Sequence, residues 1–444
     1  MMLDRRHLLM GVAALTATAC ASVPGSASTG SDAFVSVDGM GFRRNGAPYH
    51  YVGTNMWYAA WIGSDGAFGD RGRLTRELDR MQAAGIKNIR LAGSGEDSPL
   101  TNSVKPAFRD HSAEYNESLL KGLDVTLAEM ARRDMTAVVY LTNFWEWSGG
   151  MMTYLYWTNG GQYINMNDPA HPWPAFADFN AQFYQSGEAI RLYHDYIRAV
   201  VGRTNTVTGV RYADDPTIMS WQLANEPRPG GSAAVGEPNL PNFYAWVRDT
   251  AVLIKSLAPR QLVSTGSEGL KGCLEQAACV VAEHSIPQID YLTIHIWPLN
   301  WSWVDDDDLA GTAAAGEAQV QDYIDRHLTI ARQIAKPLVI EEFGYPRDVG
   351  YAPSATTVYR DRYYRLIFAA VEKSIREGGP LQGSNFWAWN GEGRARHADW
   401  RFHSGDTAFL GDPPHEPQGW YGVFDSDATT LALVRQHAAT LTGL

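Results

Sequence analysis

The chain is short of cysteine, of charge and of long apolar runs, and each shortage excludes something. Its 444 residues hold three cysteines, none in metal-ligand spacing, which argues against a disulfide-built scaffold or a zinc site. Charged residues make up 19%, and 37 Lys and Arg against 49 Asp and Glu leave a formal net charge of −12. That sign repels phosphates, so nucleic acid and anionic membrane surfaces are excluded as partners, while a neutral substrate is indifferent to it. After the first residues no apolar stretch is long enough to span a bilayer. No Gly-x-Gly-x-x-Gly turn follows the first strand, no His-x-His or His-Glu-x-x-His pair occurs, and Gly266-Ser267-Glu268-Gly269 lacks the spacing of a serine esterase elbow. No internal repeat or low-complexity block appears.

Aromatic residues are plentiful instead, 11% of the chain with 15 Trp and 21 Tyr. Flat faces in that number suit stacking on sugar rings, although a large core also absorbs many. The N-terminus carries Arg5-Arg6, a short apolar run from Leu8 to Ala19 and small residues beyond, the pattern of an export signal, with the paired arginines favouring the twin-arginine route. Cys20 follows Ala17-Thr18-Ala19 and is a candidate for lipid anchoring. A Ser/Gly-rich tether follows, so residues 1–32 are read as signal and tether and residues 33–444 as the folded part. Cys273 and Cys279, six positions apart, are expected to close a small loop in an oxidising compartment, two unconnected thiols being the alternative. The acidic run Asp305 to Asp308 reads as a solvated loop face. No cofactor, metal or partner chain is called for, and a monomer is expected.

The segment from Phe34 to Asn55 alternates like strands, with turn signals at Asp38-Gly39 and Asn45-Gly46, and predicts a hairpin leading into a buried strand. Eight apolar runs then recur, YHYVGTN, KNIRLAG, TAVVYLTNFW, IMSWQLANE, QLVSTGS, DYLTIHIW, PLVIEEFG and GSNFWAWN. Between them lie helical patterns such as Leu74, Leu78, Met81 and Leu119, Leu123, Leu127, Met130. Strand and helix alternating eight times predict an α/β fold, a single (β/α)₈ barrel with extended βα loops; a doubly wound sheet, or two ordinary domains, would be the alternatives.

In such a barrel the reactive groups sit at the carboxyl ends of the strands. Run four ends Asn225-Glu226-Pro227 and run seven ends Glu341-Glu342-Phe343-Gly344, each after buried apolar residues. A carboxylate placed there is costly unless hydrogen-bonded or used. Two of them facing one another across the mouth are what glycosidic cleavage needs, one to protonate the leaving oxygen and one to attack. Strand alternation predicts that Glu341 faces away from the barrel axis while Glu342 reaches in.

These two motifs, with Arg90 in run two, His295 in run six and Trp387 in run eight, resemble the retaining clan-A hydrolases of glycoside hydrolase family 5 over nearly the whole mature chain. The resemblance implies Glu226 as acid/base and Glu342 as nucleophile. It implies Arg90 as the partner that keeps the nucleophile ionised, Asn225 on the sugar 2-hydroxyl, His295 as orienter of the acid/base and Trp387 as the platform under the sugar. Trp57, Trp145 and Trp297 are expected as further substrate contacts. Many family members have Tyr where this chain has Trp297, which removes a hydroxyl from beside the nucleophile. The motifs Trp145-Glu146-Trp147-Ser148-Gly149-Gly150 and Gly266-Ser267-Glu268-Gly269 resemble the mannanase-type subfamily, and imply β-1,4-mannan, galactomannan or glucomannan as substrate with endo action. An exo-acting β-mannosidase or mannobiohydrolase, a cellulase, and a non-catalytic carbohydrate-binding barrel are the alternatives. The long segment Gly391 to Asp427 after run eight is expected beside the mouth, where His397, Trp400, Arg401, Phe402, Trp420 and Tyr421 suit sugar contact and could wall off one end of the cleft.

Overall fold

A computed structural model describes residues 33–444 apart from 101, 102, 113 and 404. The expected export signal and Cys20 lie outside the described residues. The eight runs are eight parallel strands: β1 Tyr51–Asn55, β2 Asn88–Ala92, β3 Thr136–Tyr140, β4 Ile218–Gln222, β5 Leu262–Ser264, β6 Leu292–Ile296, β7 Leu338–Phe343 and β8 Leu381–Phe386. Their order is β5-β4-β3-β2-β1-β8-β7-β6, and the two ends of that order meet where Asp290 N–H donates to Val263 O at 2.8 Å. The protein is a (β/α)₈ barrel, as its strand and helix alternation predicts.

A helix leads from each strand back to the start of the next or, after the last strand, closes the chain: α1 Arg71–Ala83, α2 Glu117–Ala131, α3 Gly187–Val201, α4 Ala233–Leu257, α5 Ala277–His284, α6 Leu309–Ile334, α7 Val358–Arg376 and α8 Ala428–Thr442, with further helices Ala59–Gly63 after β1 and Gly150–Thr158 and Ala175–Asn180 after β3. In α2, Asn116 caps the N-terminus by accepting from Ser118 and Leu119, and Leu119, Leu123, Leu127 and Met130 bury one face against the sheet. Each such side chain contributes roughly 1.5–3 kcal/mol. The strands are buried on both faces, which is why they read as continuous apolar runs.

The predicted hairpin is a three-stranded sheet, Ser36–Asp38, Gly41–Arg44 and Ala47–Pro48, turning at Gly39 and Gly46 with φ of 61° and 77°. Its Val35, Phe42 and Tyr49 pack on Tyr51, Met219, Leu262, Tyr291 and Val339, residues at the amino ends of their strands, and so plug that end of the barrel.

Strand β7 corrects one expectation. Ile340 is opposite Ile294, but the next pairing is Glu342 with His295, so Glu341 is an unpaired bulge residue. The bulge cancels the strand's alternation, and Glu341 points inward beneath Glu342. There it accepts from Gln222 and from Tyr291 (3.0 Å) and lies 3.8 Å from Arg90 Nε. Cys273, in the β5–α5 connection, and Cys279, in the first turn of α5, form the expected disulfide. Asp305 to Asp308 are exposed, with Asp308 capping α6.

Candidate active site

The carboxyl ends of the strands open into a cavity of about 580 Å³. Glu226 and Glu342 line it from opposite sides, and Asn225, Trp145, Trp297 and Trp387 are among its walls. Oxygens of Glu226 and Glu342 and a ring nitrogen of His295 all lie within 4.8 Å of one another. Nδ1 of His295 is the meeting point, 2.6 Å from Glu226 Oε1 and 3.3 Å from Glu342 Oε2.

Arg90 organises the floor with all three guanidinium nitrogens. Nη1 donates to Glu342 at 2.5 Å and to Asn55 at 3.1 Å, Nη2 to Asn225 at 2.7 Å and Nε to Gln222 at 2.7 Å, while the guanidinium lies 4.9 Å above the Tyr140 ring. One side chain thus sets both the carboxylate on β7 and the amide that precedes Glu226. Asn225 in turn donates to Asn143 at 3.1 Å. Glu226 is held by the Trp145 indole N–H, and its own backbone is left-handed, with φ of 52°. Such a conformation costs roughly 1–3 kcal/mol in a residue other than glycine and persists only where its surroundings enforce it. The Glu226 N–H donates to Gly266 O at 2.9 Å, which fixes the turn.

Burial pushes both carboxyls above their ordinary range, and their proximity couples them. Arg90 is the strongest counterweight at Glu342, whereas Glu226 is opposed first by the more distant Arg228. Direct guanidinium contact therefore assigns the shared negative charge to Glu342 and the proton to Glu226. Burial and the Arg90 charge hold His295 well below its usual value, so it stays neutral between them.

Two expectations change here. Trp57 does not line the cavity: it is 1% exposed, edge-on to Trp147 and Trp61, and donates to Gly411 O at 2.9 Å. It is a core residue that backs Trp147. Within the long segment after β8, Pro413, His415 and Glu416 reach the cavity. His397 instead pairs with Asp406 and stacks on His403, Phe402 stacks on Phe409, and Tyr421 packs edge-on against Trp297.

Other lining residues carry less obvious marks in the sequence. Arg228, two residues beyond Glu226, forks onto Glu268 with two bonds of 2.6 Å and lies over the rings of Trp145 (5.2 Å) and Trp173 (5.4 Å). Burial raises Glu268 to about 7 against that pairing. The spacing Glu226-Pro-Arg228 and the Gly-Ser-Glu-Gly motif were the only available signals for this pair. Gly344 is required by contact, since a Cβ there would stand 2.5 Å from the Trp297 ring.

A protonated carboxyl and an ionised one this close, at the mouth of a barrel and walled by indoles, can protonate a glycosidic oxygen and attack the anomeric carbon without an intervening water. Fold and site together define a glycoside hydrolase.

Comparison with known proteins narrows the class. The model of the glycoside hydrolase family 5 β-mannosidase-like family matches residues 32–444. A solved family 5 mannosidase from Rhizomucor miehei is 35% identical, superposes with a TM-score of 0.84, and is matched over 93% of this chain and 99% of that one. A putative mannan endo-1,4-β-mannosidase 9 of Oryza sativa subsp. japonica is 30% identical across 80% of this chain and 81% of its own length. An endo-1,4-β-mannanase from Rhizomucor miehei shares the fold, with a TM-score of 0.67 at 23% identity over 93% of this chain and all of that one. The chain belongs to the glycoside hydrolase family 5 β-mannosidase-like family.

Proposed function

We propose that this glycosidase is a retaining, exo-acting β-mannosidase that removes mannose from the non-reducing ends of β-1,4-linked manno-oligosaccharides. Glu342 attacks the anomeric carbon while Glu226 protonates the departing oxygen; Glu226 then takes a proton from the water that releases the sugar. The pair's oxygens stand within 4.8 Å, less than the roughly 6.5–9.5 Å that an inverting pair leaves for water. Arg90, Asn225 and His295 position these groups, and Trp387, Trp297 and Trp145 face the sugar.

The observation that carries the exo reading is the wall made by Pro413, His415 and Glu416. In this reading the leaving group lies on the Glu226 side, where Trp145 bonds Glu226 and Arg228 lies over the Trp145 ring, and the sugar bonded to Glu342 lies on the Trp387 side. His415 stacks on Trp147, which is edge-on to Trp387, and this contact supports a wall across the path of further sugars on the non-reducing side. His415 Nδ1, Glu416 Oε2 and Trp387 Nε1 are buried without a protein partner, as suits atoms that receive the hydroxyls of a terminal sugar. The 35% identical mannosidase supports this reading, and the curated mannan endo-mannosidases support endo action as the second one.

A product time course on linear mannan and manno-oligosaccharides, run with galactomannan viscosity, decides between them. Mannose as the sole early product with nearly constant viscosity is expected; a steep early fall in viscosity establishes endo cleavage. Initial product of inverted configuration by NMR would remove the retaining mechanism. Export through the N-terminal signal, with Cys20 as a candidate anchor, is part of the proposal and rests on the sequence. Among the described residues no helix is long and apolar enough to cross a membrane.

A further inference from the structure

A second hollow, of about 410 Å³, adjoins the catalytic cavity on the Arg228 side, and Lys271 and Glu275 line both. Its other walls include Trp303 and, from α6, Gln319, Asp322 and Arg326. The junction is aromatic: Trp301 faces the catalytic cavity and Trp303 the second hollow, their rings 4.8 Å apart, with Lys271 Nζ 5.6 Å from the centre of each.

The charges around this hollow cancel in pairs. Lys271 is held by Glu275 at 2.5 Å, and Arg326 lies 3.9 Å from Asp322. An anion would have to separate one of these pairs, whereas a neutral ligand rich in hydroxyls can bond to them as they stand. A flat indole face beside hydrogen-bonding groups suits the two surfaces of a sugar, one apolar and one polar.

We propose that this hollow is a distal subsite for the reducing-side continuation of the substrate, a neutral β-linked oligosaccharide whose terminal sugar lies over Glu342. The inference rests on reading the enzyme as a mannoside hydrolase. A leaving group of one sugar remains beside Arg228, and a longer one is led over Trp301 to Trp303 and the α6 side chains. The enzyme thereby favours long chains although it takes one residue at a time.

The test is kcat/KM for reducing-end-labelled β-1,4-manno-oligosaccharides, from mannobiose to mannohexaose, in the wild type, Trp303→Ala and Gln319→Ala. In the wild type kcat/KM rises with length. Trp303→Ala lowers the hexaose-to-biose ratio about five- to tenfold, the scale of one lost aromatic contact. Gln319 is exposed on α6, so Gln319→Ala leaves the packing intact and lowers the same ratio about two- to fivefold, the scale of one hydrogen bond. A wild-type rate independent of length, or losses equal at every length, overturns the subsite. The label reports separately which bond is cut: internal cleavage counts against the exo reading alone, and the length ratio still judges the hollow.

Discussion

On the Trp387 side of Glu226 the cavity is bordered by Trp147, Trp387, His415 and Glu416, the last three of which carry buried polar atoms without a protein partner; on the Arg228 side it is bordered by Trp173, 58% exposed, and by Arg228, Lys271 and Trp301. Burial and nearby negative charge push Glu416 well above its ordinary range, so its carboxyl can donate as well as accept. Arg228, in contrast, is already satisfied by Glu268. On the proposed exo reading, the closed side selects one sugar through buried polar atoms that lack a protein partner. The open side offers faces and paired charges that tolerate many leaving groups.

The largest effects come from the pair between the two sides. If Glu342 is the nucleophile, as proposed, Glu342→Ala is expected to lower kcat about 10⁴-fold or more on every substrate, because nothing replaces it. Glu226→Ala is expected to be severe on mannobiose yet mild on an aryl mannoside whose leaving group needs little protonation, with azide restoring turnover as β-mannosyl azide. Equal, unrescued losses in the two variants would reverse or void the assignment.

Opening the closed side comes next. Glu416→Ala is expected to lower kcat/KM on mannobiose about 100-fold, the cost of stranding polar partners in a buried site. Shortening Arg394 to Pro417 should let mannobiose and longer sugars appear as products of a linear mannan. Mannose as the sole product of that shortened enzyme would mean that the wall does not set the mode of attack.

A smaller change is expected on the open side, where Trp173→Ala should raise KM for mannobiose about fivefold and leave kcat within about twofold. A fall in kcat with unchanged KM would give Trp173 a role in the transition state instead.

The smallest effect is on stability. Glu283, on α5, is raised to about 8 by burial. The folded protein therefore keeps a proton that the unfolded chain releases near pH 4.5, and stability falls as pH rises from there to about 8. Glu283→Gln should flatten the decline of the thermal midpoint between pH 5 and 8, measurable by calorimetry. A midpoint curve parallel to the wild type's would show that Glu283 ionises normally.

The barrel was legible because strands buried on both faces print themselves as apolar runs, and because Glu226 and Glu342 each end such a run. Glu341 was misread for a reason of register: one extra residue in β7 leaves no mark in composition, yet it turns a side chain from the outside to the inside. Trp57 and Trp145 look alike in sequence, each shortly after a strand, and only three-dimensional packing buries the first and frees the second. His415 and Glu416 lie in an irregular segment with no periodicity, so their arrival at the cavity depends on contacts such as Gln418 with Asp412 and Asp412 with the backbone of Gly419, Tyr421 and Gly422.

The hairpin that plugs the barrel also fixes where the described chain enters it. Its first strand starts at Ser36, on the end opposite the mouth, so the described chain begins at the back of the barrel. On the proposed anchoring at Cys20, the holding surface would face the plugged end, and the catalytic opening would look away from it.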